Sequence, residues 1–302
     1  MRYREIPFFF DAAGAALFAI ASAPDTPAKL GVVIVVGGPQ YRVGSHRQFA
    51  LLARRMAEAG VACLRFDVRG MGDSEGEPPG FASLQPDIAA AIDALVARVP
   101  SVDRVVLWGL CDGASACAFY AGRDPRVAGL ALYNPWVRTA SGEAETVLRH
   151  YYGRRLLDRR FWQKLLRGDV ALGTSLQDLW NRFAAAAGRH AQASSAATAE
   201  DLPQQVAKGI SRHAGPILIA LSGNDSVAAE FKAHSERAAA LRAAVDRANV
   251  EIIHFPAVDH TFSCAEWRSL GAEATLTWLR AHFASGTDPA AVRDPSGPVE
   301  VK

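Results

Sequence analysis

Three absences narrow what this chain can be. No apolar run approaches the roughly 18 residues that a membrane-crossing helix needs. Charge of one sign is lacking, because 33 Lys and Arg face 31 Asp and Glu for a net charge of +2. No global field therefore favours nucleic acid. Cysteine is sparse: Cys63, Cys111, Cys117 and Cys264 are scattered, with no C-x-x-C pair and no metal-type spacing. They read as thiols in a reducing compartment, and the expected location is the cytoplasm. A glycine-rich loop at Asp67–Gly76 is not followed by G-K-[ST], so it lacks the phosphate cradle of a P-loop. No metal or organic cofactor is implied, and no internal repeat is visible.

The N-terminus imitates an export signal without completing one. Arg2 and Arg4 precede apolar Ala15–Ile20, and Ala21-Ser22-Ala23 resembles a cleavage site. Glu5, Pro7 and Asp11 interrupt it, so two β-strands joined by a turn at Asp11–Gly14 fit better.

The most telling feature is the heptapeptide Leu107-Trp108-Gly109-Leu110-Cys111-Asp112-Gly113. It has the G-x-nucleophile-x-G form of a nucleophile elbow, with cysteine at the nucleophile position. An apolar strand-like run (Val105–Leu107) precedes it and a helix-like run (Ala114–Tyr120) follows. A strand that turns sharply into a helix crowds the residues two places either side of its nucleophile, and glycine there relieves the crowding. The turn would also set the sulfur beside a helix N-terminus, where an anion is favoured.

Half of the residues are hydrophobic, enough for a large core. Strand-like segments at Leu30–Val36, Val61–Phe66, Arg104–Leu110, Val127–Tyr133, Pro216–Leu221 and Val250–Phe255 alternate with helical ones. The helical stretches run from about His46 to Ala59, Ser83 to Val99, Ser226 to Arg247 and Ala265 to Phe283. This alternation predicts an α/β fold with a mainly parallel sheet and helices on both faces. Residues 1–134 and 215–284 would form the core, and 285–302, rich in Pro, Gly and Asp, a flexible tail. Residues 135–214 carry no strand signal and would form a helical lid. Between Arg138 and Arg167 they hold eight Lys and Arg against three acids, interleaved with Tyr151, Tyr152, Phe161 and Trp162. Such a stretch is either a solvated basic face or a surface presented to an anionic substrate or partner.

A thiol nucleophile needs a base, and the base needs an orienting acid, in the chain order nucleophile, acid, histidine. His260 follows the last strand. Asp225 follows the penultimate one, in Leu221-Ser222-Gly223-Asn224-Asp225. Asp259 competes with Asp225, although its adjacency to His260 makes the required geometry awkward. The oxyanion hole would use the N–H of Asp112 and one from the loop Gly37-Gly38-Pro39-Gln40. Pro39 has no N–H, which leaves Gln40, with Gly38 as the fallback.

With these residues in place, the chain resembles the α/β-hydrolase superfamily over about residues 1–284. The loop at Asp67–Gly76, the elbow and the positions of Asp225 and His260 carry that resemblance. More narrowly, Val36–Phe49 and Trp108–Asp112 resemble the exosortase A system-associated hydrolase 1 family, which accompanies bacterial exopolysaccharide and protein-sorting systems. Two features differ from the superfamily pattern. Cysteine replaces serine, as in dienelactone hydrolases, and Gly37-Gly38 stands where His-Gly is usual. The residues and the resemblance together predict an α/β-hydrolase fold and an acyl hydrolase, thioesterase- or esterase-like, or an acyltransferase. It would act on a small acyl substrate, one with an anionic carrier such as a CoA or sugar nucleotide if the basic stretch binds it. The rival from another class is a non-catalytic binding protein on the same scaffold.

Overall fold

A computed structural model describes residues 1–38, 40–137 and 202–283. The opening segment is a hairpin of β1 (Tyr3–Ala12) and β2 (Ala15–Pro24), turning through Ala13 and Gly14. There follow β3 (Leu30–Val35), α1 (Gln48–Glu58), β4 (Ala62–Phe66), α2 (Gln85–Arg98), β5 (Arg104–Leu110), α3 (Asp112–Tyr120) and β6 (Val127–Tyr133). The later part holds α4 (Leu202–Arg212), β7 (Ile217–Asn224), α5 (Ser226–Arg237), α6 (Ala239–Val245), β8 (Val250–Asp259) and α7 (Ala265–Phe283).

The eight strands make one sheet in the order β1-β2-β4-β3-β5-β6-β7-β8. From β4 through β8 every neighbouring pair is parallel, while β2 meets β4 antiparallel. This is the α/β-hydrolase fold. Strands β3 and β4 are buried at every position, which explains their unbroken apolar runs: a strand covered on both faces has no reason to alternate. One face packs Ile88, Ile92 and Leu95 of α2, Ala114 and Ala118 of α3 and Val206 and Ile210 of α4. The opposite face is more aromatic and packs Phe49 and Met56 of α1 with Trp278 and Phe283 of α7 around Trp108 and Tyr133. Order reverses between β3 and β5, a topological switch point that opens a crevice at the carboxyl ends of the strands.

Several boundaries differ from the sequence expectation. The helix expected from His46 begins at Gln48, after a tight turn in which His46 and Arg47 adopt left-handed backbone angles. The helix expected over 226–247 breaks at Ala238, whose extended backbone (φ −86°, ψ 113°) re-aims α6 so that it packs on α4. α4, inside the 135–214 segment, buries Val206 and Ile210 in the core and lies so close to α3 that a Cβ at Gly209 would stand 2.1 Å from the Ala118 carbonyl oxygen. Pro135–Val137 also belong to the core: Trp136 N–H donates to the Cys111 carbonyl (3.2 Å), and Val137 is buried. The basic stretch Arg138–Arg167 and the expected tail at 285–302 lie outside the described residues. Among the described residues, no helix is long and apolar enough to cross a membrane.

Candidate active site

The elbow is built by close backbone crossing. Cys111 sits between β5 and α3 at φ 61°, ψ −127°, a combination that costs a non-glycine residue about 1–3 kcal/mol. Its N–H donates to the Tyr133 carbonyl (2.9 Å), and its carbonyl accepts from Ala114 (3.0 Å), so the surrounding backbone holds the angle. A Cβ at Gly109 would lie 2.5 Å from the Gly113 carbonyl carbon and oxygen; one at Gly113 would lie 2.5 Å from the Val35 oxygen. Glycine at both flanks is therefore a requirement of packing, as the motif implies.

Cys111 is partly exposed, and so is Cys264. Cys63 and Cys117 are fully buried; burial pushes the Cys63 thiol up to about 12 and raises that of Cys117 as well, so both stay protonated and inert. Ser115, the serine nearest to the elbow in sequence, is buried and donates its hydroxyl to the Trp136 carbonyl (2.6 Å), which removes it as an alternative nucleophile.

At the same sheet edge, His260 Nδ1 lies 2.7 Å from Asp225 Oδ2. Asp225 is nearly buried and is the N-cap of α5, accepting from the Val227 (3.0 Å) and Ala228 (3.4 Å) N–H groups. A carboxylate only accepts, so Nδ1 carries the proton of neutral His260, and Nε2 presents its lone pair. Asp259 is occupied otherwise. Its oxygens take the N–H groups of Thr261 and Ser263 (3.1 Å each) and the Ser263 hydroxyl, closing the turn that carries His260. Burial alone would raise the Asp259 pKa; the Ser263 hydroxyl, the two N–H groups and the nearby charge of His46 outweigh it and hold the carboxyl below its ordinary value. Of the two aspartates, Asp225 is the one whose carboxylate meets the His260 ring. Across the turn, Arg268 Nη1 donates to the Ser263 (2.7 Å) and Phe262 (3.3 Å) carbonyls.

On the oxyanion side, Asp112 does more than offer an N–H. Its carboxylate accepts from Gly38 N–H (2.7 Å) and Gly113 N–H (3.1 Å), and a Cβ at Gly37 would lie only 1.9 Å from its Oδ1. The acid clamps the loop after β3 against the start of α3. Gly38 spends its N–H on that clamp, which removes the fallback donor. Pro39 lies outside the described residues, and Gln40 is partly buried with its Oε1 free of hydrogen bonds among them. The clamp was not read from the sequence, where an acid in a helix's first turn looks like a dipole complement. The Asp67–Gly76 loop is held internally. Asp67 accepts from the N–H groups of Arg42 (2.6 Å) and Asp73 (3.0 Å) and pairs with the Arg42 guanidinium, while Ser74 donates to the Asp67 carbonyl (2.7 Å).

The serine aminopeptidase, S33 family matches residues 27–263 of this fold. The chain belongs to this hydrolase family. The S33 family's description names serine, and at the elbow of this member the residue is Cys111. Among curated relatives, the chain is similar to the polyketide transferase grgF of Penicillium sp (32% identity; 28% of this chain, 31% of that protein). It is also similar to the quorum-quenching protein AidA of Acinetobacter baumannii (32% identity; 37% of this chain, 38% of that protein). The chain thus spans about a third of the length of the curated relatives it matches. In structure it resembles the Pyrococcus furiosus esterase Pf2001 (TM-score 0.63, 15% identity, 93% and 91% of the two chains). It also resembles Est1E of Butyrivibrio proteoclasticus, solved with ferulic acid (TM-score 0.59, 15% identity, 92% and 100%). At such identities the solved structures speak for the fold.

Proposed function

We propose that this S33-family member is a cysteine-dependent acyl hydrolase that works through an acyl-thioenzyme, with Cys111, His260 and Asp225 as its triad. The observation that carries the reading is a partly exposed thiol on a backbone-locked elbow, at the sheet edge that also holds the His260–Asp225 pair. In the proposed reaction His260 Nε2 takes the thiol proton as Sγ bonds to the substrate carbonyl carbon. The oxyanion forms against the N–H groups of Asp112 and Gln40. Collapse expels the alkoxide or thiolate leaving group, which takes the proton from Nε2. Water then gives a proton to Nε2 and attacks the thioester, releasing the acid and returning the proton to the sulfur. Replacing water by another acceptor turns the same intermediate to acyl transfer, a reading favoured by the name of the Penicillium relative, a polyketide transferase.

The substrate in this reading is a small ester or thioester. The resemblance of Val36–Phe49 and Trp108–Asp112 to the exosortase-associated hydrolases supports a cytoplasmic accessory role in a bacterial exopolysaccharide or exosortase system. Turnover of a panel of p-nitrophenyl esters and acyl thioesters tests the chemistry. Cys111→Ala is expected to abolish turnover while keeping the fold, and Cys111→Ser to retain little of it. Near-wild-type activity in Cys111→Ala would place the nucleophile elsewhere. Absence of turnover by the parent together with saturable binding of the same compounds would favour a binding protein.

A further inference from the structure

The main chain that follows β3 is tied at two points by carboxylates from other parts of the fold. At the near end, Gly37 packs so closely on the start of α3 that a Cβ there would lie 2.3 Å from the Gly113 nitrogen, and Asp112 Oδ2 accepts the Gly38 N–H at 2.7 Å. At the far end, Asp67, fully buried just after β4, accepts the Arg42 N–H at 2.6 Å and pairs with the Arg42 guanidinium. That guanidinium also donates to Asp73 (2.6 Å) and lies 4.3 Å from the centre of the Phe18 ring. Only Pro39, Gln40 and Tyr41 stand between the two ties. Pro39 has no N–H to offer. Among the described residues nothing accepts the Gln40 N–H, which stays available to a ligand.

We propose that Asp112 is a positioning residue for the oxyanion: through Gly38 it fixes the short span that carries the Gln40 N–H, and so aims the second donor. The inference rests on the reading of Cys111 as the nucleophile and adds a role for the side chain of its neighbour. A span of three residues with both ends held has few conformations, and cutting one tie returns backbone freedom to it. Misplacing a catalytic group by about 1 Å can cost a hundredfold in rate. Against this gain stands a penalty. A carboxylate one residue from Cys111 disfavours both the thiolate and the developing oxyanion, because like charges oppose each other at short range. Removing the acid therefore has two effects of opposite sign. The thiolate becomes easier to form, while the tetrahedral intermediate loses a well-placed donor. A residue that merely supports the fold would not separate the two.

Three probes of the full chain read these effects apart. Hydrolysis of p-nitrophenyl butyrate needs the thiolate and the oxyanion hole. In Asp112→Ala its kcat should fall at least about tenfold, with KM changed by less than about threefold. Trifluoromethyl hexyl ketone bonds its carbonyl carbon to Sγ and moves the carbonyl electron pair onto oxygen, so its inhibition constant should weaken at least about tenfold in the same variant. Iodoacetamide bonds its methylene to Sγ, loses iodide and makes no oxyanion; alkylation of the Cys111 peptide, followed by mass spectrometry, should run as fast as in the parent or faster. Asp112→Asn keeps a carbonyl oxygen for the Gly38 N–H and should recover kcat to within about threefold of the parent. Unchanged kcat in Asp112→Ala, slower alkylation in step with slower turnover, no recovery in Asp112→Asn, or a variant that no longer folds would each overturn the role. A parent that is neither alkylated at Cys111 nor active on any ester or thioester would overturn the nucleophile reading, and this inference with it.

Discussion

Two turns at the carboxyl edge of the sheet, β5–α3 and β8–α7, are held in different ways. The β5–α3 elbow is held by backbone. Gly109, Gly113 and Gly37 bring main chain to within a methyl group's width of main chain or of the Asp112 carboxylate, and the strained angles of Cys111 follow from that crossing. The β8–α7 turn, in contrast, is held by side chains: Asp259 gathers its N–H groups, Arg268 its carbonyls, and Asp225 the imidazole itself. A backbone-held turn tolerates no added atom. A side-chain-held turn can be loosened in steps, and its parts can be removed one at a time.

The sharpest attempt to break this contrast is Gly109→Ala. With a Cβ 2.5 Å from Gly113 main chain, the elbow cannot form without separating β5 from α3, and a loss above about 4 kcal/mol is expected. Chemical denaturation measures it; a loss below about 1 kcal/mol would mean that the elbow yields more readily than its contacts imply. The next largest effect separates chemistry from structure. Asn is as good an N-cap as Asp, so Asp225→Asn should leave the melting temperature nearly unchanged. It should nonetheless cut turnover by about a thousandfold or more, because an amide can donate to Nδ1 and favour the wrong tautomer. Equal losses of stability and turnover would show that Asp225 only caps its helix.

The smallest effect belongs to Asp259→Asn. It exchanges charge-assisted bonds to Ser263 and Thr261 for neutral ones, worth about 1–2 kcal/mol at neutral pH, with a few-fold loss of turnover. The pH dependence has a definite sign. Because the folded pKa of Asp259 is depressed, its contribution is complete above the ordinary carboxyl value of 3.8 and is lost as pH falls through the folded value. The parent and the variant should therefore differ in melting temperature at about pH 7 and converge toward about pH 2.

The same contrast explains what could be read from the sequence. The parallel sheet was legible because buried strands such as Leu30–Val35 and Arg104–Leu110 need uninterrupted apolar residues, and the elbow because only glycine fits its crossings. Asp225 and His260 were singled out by their places after strands, and the structure sets both directly after β7 and β8. Arg268 escaped notice because its partners are carbonyls aimed by the left-handed backbone of Phe262, a conformation no residue type there announces. The Asp112 clamp escaped because it joins residues 74 positions apart. The break at Ala238 lies between good helix formers, and composition carries no trace of it. α4 was readable after all: Leu202, Val206 and Ile210 repeat at i, i+4 and i+8, a core-facing stripe inside an Ala/Ser/Gln-rich stretch.

The strand order carries a consequence for the time at which the site is assembled. The ribosome delivers β5 and α3 well before β7 and β8, and β8 is the last strand to join, at the outer edge of the sheet. A nascent chain that has emerged only through β6 already contains every glycine of the elbow, yet neither Asp225 nor His260. Parallel pairing of β8 with β7 must await the whole α5–α6 crossover. Cys111 thus spends part of its synthesis as an elbow thiol with the His260 imidazole not yet made: Asp225 arrives with the end of β7, and only the docking of the edge strand β8 brings His260 to it.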